Sequence, residues 1–111
     1  MTTFEGGPAN GKSLLLKRSP ILLRVVEDRK GKIDALDLID DKPEPDETVT
    51  VYRIVKRLGA SFVDGVKNGK RWGGRFEVAR YRINKLQPPI KIARDKEAWQ
   101  KWAKTQAEKN P

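Results

Sequence analysis

Apolar residues recur at two different periods along this chain, and the change of period divides it. Up to about residue 86 they fall in short runs or alternate with polar neighbours, which predicts strands. Leu14-Leu15-Leu16-Lys17 and Ile21 to Glu27 are such runs, separated by Ser19-Pro20, and Asp28-Arg29-Lys30-Gly31 after the second has turn chemistry. Lys32 to Leu38 then returns as a hairpin partner. Thr48 to Lys56 is the clearest strand, with Val49, Val51 and Val55 on one face and Tyr52 and Ile54 on the other. Apolar residues on both faces predict a central position in the sheet. Ser61-Phe62-Val63 and Arg75 to Ile83 flank Lys67-Asn68-Gly69-Lys70, whose Asn-Gly pair suits a tight hairpin turn. Within Arg75 to Ile83 the apolar phase changes, from Phe76 and Val78 to Ala79, Tyr81 and Ile83, which predicts a bulge near Ala79.

After Gln87-Pro88-Pro89 the spacing becomes helical. Asp95 is placed to cap, Glu97 suits the first turn, and Ala98, Trp99, Trp102, Ala103 and Gln106 share a face over a helix of about 95–109. A helix of that length is unstable alone in water, so its two indoles are expected to dock it. The fold class that follows is α+β, mostly β, in a single domain over 1–111: five or six antiparallel strands within about 13–86, as a sheet or small half-open barrel, and one C-terminal helix. Asp40 to Glu47, with two prolines and five acidic residues, is an acidic loop.

Charge sharpens this picture. Residues 1–50 carry 8 Lys/Arg against 10 Asp/Glu, whereas 51–111 carry 16 against 5, within a net charge of +9. A basic surface concentrated on one part of a small domain attracts polyanions. Cysteine and histidine are both absent, so disulfides, thiolate chemistry and the usual zinc ligands are excluded and no cofactor is expected. No convergent catalytic set is visible, and the protein is read as non-catalytic. The opening MTTFEGG has neither a basic start nor an apolar core, and no run approaches the length of a membrane span, so a cytoplasmic protein without membrane contact is expected.

Three constellations carry candidate chemistry. Lys67, Lys70, Arg71, Trp72 and Arg75, extended by Arg80, Arg82 and Lys85, interleave cations with an indole on a hairpin, as a DNA- or RNA-binding surface requires. The plain alternative is a solvated hairpin with Trp72 folded over the sheet beside Tyr81. Trp99 and Trp102 serve either the core or a protein partner. Asp37, Asp40, Asp41, Glu44, Asp46 and Glu47 lack the spacing of a calcium loop, and read as a surface loop that either stands alone or neutralises the basic hairpin.

Gly6 to Ser13 matches G-x-x-x-x-G-K-S, the pattern of a nucleotide phosphate loop. Such a loop leaves a buried strand and enters a helix. Here Pro20 follows too closely for that helix, so a turn before the first strand is the favoured reading.

The segment Phe4-Glu5-Gly6-Gly7-Pro8-Ala9-Asn10-Gly11, with Ala35-Leu36-Asp37, Asp40-Asp41, Pro43, Pro45-Asp46-Glu47 and Val51-Tyr52-Arg53, resembles small proteins of bacterial and bacteriophage genomes that open with a strand, a GGP-x-x-G turn and another strand. The resemblance spans the first half of the chain. It implies the turn reading of GGPANG and an accessory or assembly role in a phage or mobile element, and brings no activity, cofactor or site.

Overall fold

The computed structural model describes residues 1–40, 42–44, 47, 49–84 and 94–109. Lys85, Asp41 and Asp46 lie outside the described residues. Six strands form one sheet: β1 (Thr2–Glu5), β2 (Ser13–Leu14), β3 (Leu22–Glu27), β4 (Ile33–Asp37), β5 (Thr50–Lys67) and β6 (Lys70–Asn84), followed by the helix α1 (Lys96–Lys109). The strand order is β2-β1-β6-β5-β3-β4. β5 is central, as its two apolar faces require.

The sheet is open and mixed, not wholly antiparallel. β1 lies parallel to β6, with Thr2 beside Ala79 and Phe4 beside Tyr81. Local pattern does not predict this strand, because it is four residues long and its partner is more than seventy positions away. Burial explains it: Thr2 and Phe4 are buried, and Phe4 meets Tyr52 edge-on at 5.2 Å and stacks on Tyr81 at 5.7 Å. An aromatic cluster of this kind stabilises beyond the area it buries.

The strand alternation sends side chains to two cores. Leu23, Val25, Ile33, Ala35, Tyr52, Ala79 and Tyr81 gather with Phe4 and Ala9 on one side of the sheet. Leu22, Leu38 and Val51 gather with Trp99 and Ala103 on the other, under α1. The Asp95 carboxylate caps α1, accepting from the N–H groups of Glu97 (2.9 Å) and Ala98 (3.2 Å). Trp99 is fully buried, and its Nε1 donates to the Leu38 carbonyl at 2.7 Å. It is therefore core rather than a partner anchor, with Trp102 packed beside it at the margin.

The phosphate-loop pattern folds as a closed turn between β1 and β2. The N–H groups of Gly6, Ala9, Asn10, Gly11 and Lys12 are bonded in turn to Asn10 Oδ1, Tyr52 Oη, Gly7 O, Phe4 O and Ala9 O. Ser13 enters a strand and not a helix. Donors committed internally cannot also cradle phosphate oxygens.

Candidate nucleic acid interface

β5 and β6 pair from Val51–Asn84 to Lys67–Lys70, a longer ladder than the broken pattern of 61–63 and 75–83 predicts. Beyond the last pairings with β3 (Arg53) and β1 (Ala79), these two strands continue with only each other as strand partners. The outcome is a two-stranded arm whose paired stretch from Gly59 to Lys67 runs about 27 Å at about 3.3 Å per residue. Asn68 (φ 53°) and Gly69 (φ 75°) close it, the paired positive angles that suit an Asn-Gly hairpin turn.

Two irregularities set the direction of the arm. The register shifts between Ile54 and Lys56 and between Arg57 and Gly59, so Val55 and Leu58 are extra residues on β5. The expected bulge thus falls at Ala79–Tyr81 but on the facing strand, and β6 itself alternates without interruption. Bulges bend and twist a ribbon where it leaves a sheet. Here the base is also braced. Arg57 donates to the Ser19 carbonyl (2.8 Å through Nη2), the Tyr81 hydroxyl donates to the Pro20 carbonyl, and the Glu77 N–H donates to the Leu16 carbonyl at 2.7 Å. Burial raises the Tyr81 hydroxyl far above the ordinary tyrosine range, with Arg57 opposing, so this donor keeps its proton.

Directly paired residues of an antiparallel ladder share a face, which sorts the candidate cations. On the face that continues the α1 side of the sheet lie Lys70 with Lys67, Trp72 with Gly65, Arg80 with Lys56, and Arg82 with Arg53. Phe76 shares this face, with the Lys17 ammonium 6.0 Å from its ring centre. No carboxylate occurs among these paired positions of β5 and β6. Glu5, on the neighbouring β1, reaches Arg82 at 3.1 Å, and both side chains are exposed. Arg71 and Arg75 lie on the opposite face, with Asp64 and Glu77 as well as Phe62 and Val66. The seven residues expected to act together are therefore brought into one hairpin but divided between two faces.

Trp72 stands half exposed on the cationic face, and nowhere near Tyr81, which points to the other side. Its indole lies across Gly65: a Cβ built there would come within 2.5–2.6 Å of ring atoms Cε2, Cζ2 and Nε1. Glycine is thus what lets the ring lie against the ribbon.

Arg53, Lys56 and Lys17 belong to this surface, although the sequence pattern does not single them out. Lys56 has the same parity as Tyr52 and Ile54, and only the bulge at Val55 turns it to the cationic side. Glu47, expected on a surface loop, instead forms a buried ion pair with Arg24 at 2.8 Å, with Arg24 also over the Trp99 ring. Glu47 sits beside the first residues of β5, at the opposite end of that strand from the turn, so it leaves the arm's charge in place. Among the described residues no helix is long and apolar enough to cross a membrane. The chain matches no protein-family model, and comparison with curated proteins and with solved structures likewise yields no match.

Proposed function

We propose that this protein is a non-catalytic nucleic-acid-binding module whose contact surface is the cationic face of the β5–β6 arm. The observation that carries this reading is the row of Lys67, Lys70, Lys56, Arg80, Arg53 and Arg82 along one face of β5 and β6, from the turn into the sheet, with an accessible indole among them and no carboxylate on that face of the two strands. Lys and Arg neutralise phosphates and release counterions, and a half-exposed indole stacks on any base. Single strands suit this arrangement better than duplexes, because stacking on Trp72 needs a base free of its partner. DNA and RNA are both accommodated by this chemistry.

The test is a fluorescence titration with single- and double-stranded DNA and RNA across a salt series, using two charge-reversal variants. Lys67→Glu/Lys70→Glu alters the cationic face, and Arg71→Glu/Arg75→Glu alters the other. The expected result is quenching of Trp72 by the wild type, strongest with single strands. The first variant should bind more weakly, with the slope of log K against log salt shallower by about one for each phosphate it no longer neutralises. The second should retain more of the binding. Absence of binding even at low salt would refute the proposal.

A second reading, an interaction or assembly protein of phage or mobile-element type, is favoured by one specific observation: the exposed apolar residues on the arm's other face.

A further inference from the structure

Among the described residues Phe62 and Val66 are the most exposed large apolar side chains, at 84% and 70%. They lie on the same face, four residues apart, opposite Arg75 and Arg71 in the ladder. Clustered exposure of this kind marks a contact surface more often than a lone surface leucine does. Its charge indicates what it contacts. Between the pairs Gly59–Val78 and Lys67–Lys70 this face carries Arg71 and Arg75 against Asp64 and Glu77, with Arg57 just below them bonded to Ser19, whereas the ionic residues of the opposite face over the same stretch, Lys67 and Lys70, are both positive. Copies of a chain at +9 repel one another, and this is the arm face on which the charge balances.

We infer that the Phe62/Val66 face is where a second copy of this chain packs, arm against arm, around a two-fold axis parallel to the strands. That axis lays β5 of each copy over β6 of the other, row by row. Phe62 meets Arg75 of the other copy, Val66 meets Arg71, and Ala60 meets Glu77. Asp64 meets Gly73, which has no side chain, and so enters the gap between Arg71 and Arg75. Gly73 is required there on its own chain as well, since its φ is 153° and a Cβ would lie 2.2 Å from the Val63 carbonyl. A two-fold axis running across the strands would instead set Asp64 against Asp64 and Arg71 against Arg75. Like charges in opposition disfavour that arrangement.

An interface nine residues long and two strands wide covers roughly 300 Å² per copy, from the spacings of a sheet. That is well below the roughly 800 Å² per partner of a standard stable complex. The dimer is therefore concentration-dependent, and it leaves both cationic faces pointing outward. The inference stands independently of nucleic-acid binding.

Sedimentation equilibrium up to about millimolar protein tests it, with circular dichroism confirming the fold of each variant. The wild type should rise from monomer toward dimer mass, and Phe62→Asp should weaken that association at least tenfold. Charge exchange tests the axis. Asp64→Arg and Arg71→Asp/Arg75→Asp should each stay monomeric alone, because each sets like charges together, while an equimolar mixture should form heterodimers. A wild type that remains monomeric, a Phe62→Asp variant that dimerises equally well, or a mixture that stays monomeric would each overturn the inference. So would a Phe62→Asp variant that associates unchanged while losing its hold on nucleic acid, since that face would then belong to the polyanion site.

Discussion

The same two strands behave differently at their two ends. Near Thr50 and Asn84, β5 and β6 lie inside the sheet, where alternate residues enter one core or the other: Val51 packs under Trp99, while Tyr52 and Tyr81 pack on Phe4. Past Gly59 and Val78 the alternation continues unchanged, yet none of the described residues covers Phe62 or Val66. Tyr52 and Ile54 on the one hand, and Phe62 and Val66 on the other, have the same parity and point to the same side. What separates core from exposed surface here is whether another element lies opposite. An isolated two-stranded ribbon is marginally stable, so the arm depends on its braced base, on its turn and on Trp72 lying over Gly65.

Substitutions can break this comparison from either end. The largest effect belongs to the body. Trp99→Ala should cost about 3–5 kcal/mol, because it opens a cavity beneath α1 and also removes the donor to Leu38 O. Chemical denaturation monitored by circular dichroism should record a lowered midpoint or an undocked helix. Tyr52→Phe comes next, at about 1–3 kcal/mol, since its hydroxyl donates to Gly6 O and accepts from the Ala9 N–H, which is left buried and unsatisfied. A wild-type midpoint would show that the β1–β2 turn is held by other means.

Alkali probes the same tyrosines without mutation. Burial raises both Tyr52 and Tyr81 above the unfolded value of about 10, so above that pH the unfolded chain releases protons that the folded chain retains. The stabilisation is complete below pH ~10 and is lost as pH rises beyond it. Melting temperatures measured from pH 8 to 11.5 should therefore hold level and then fall, and Tyr81→Phe should flatten the decline. Smallest of all, Phe62→Ser or Val66→Ser in the dilute monomer should change stability by no more than about 0.5 kcal/mol, despite removing large apolar groups. A loss as large as that of Trp99→Ala would mean that the arm is packed against the body.

Much of the fold was legible. Ile21 to Glu27, Lys32 to Leu38, the Asn68-Gly69 turn and the Asp95-capped helix all follow from local rules, because caps, turns and short-range alternation are written within a few residues. The candidate surface was legible in composition but not in arrangement. Gly65, Gly73 and Gly74 lie outside the two strand segments that the alternation picks out, whereas in the ladder Gly65 accommodates an indole and Gly73 a close carbonyl. The parity of Lys56 gives the wrong face, because a bulge on β5 inverts it.

What the sequence alone determined, then, is the mostly β class, the central place of β5, the terminal helix and the gathering of cations on one hairpin. These depend on properties of neighbouring residues. The parallel seat of β1, the open sheet, the Arg24–Glu47 ion pair and the division of the arm into a cationic face and a charge-balanced apolar face were decided by tertiary structure. Each joins positions distant in sequence or turns on strand register, and register is settled by which side chains are buried together, not by any local preference.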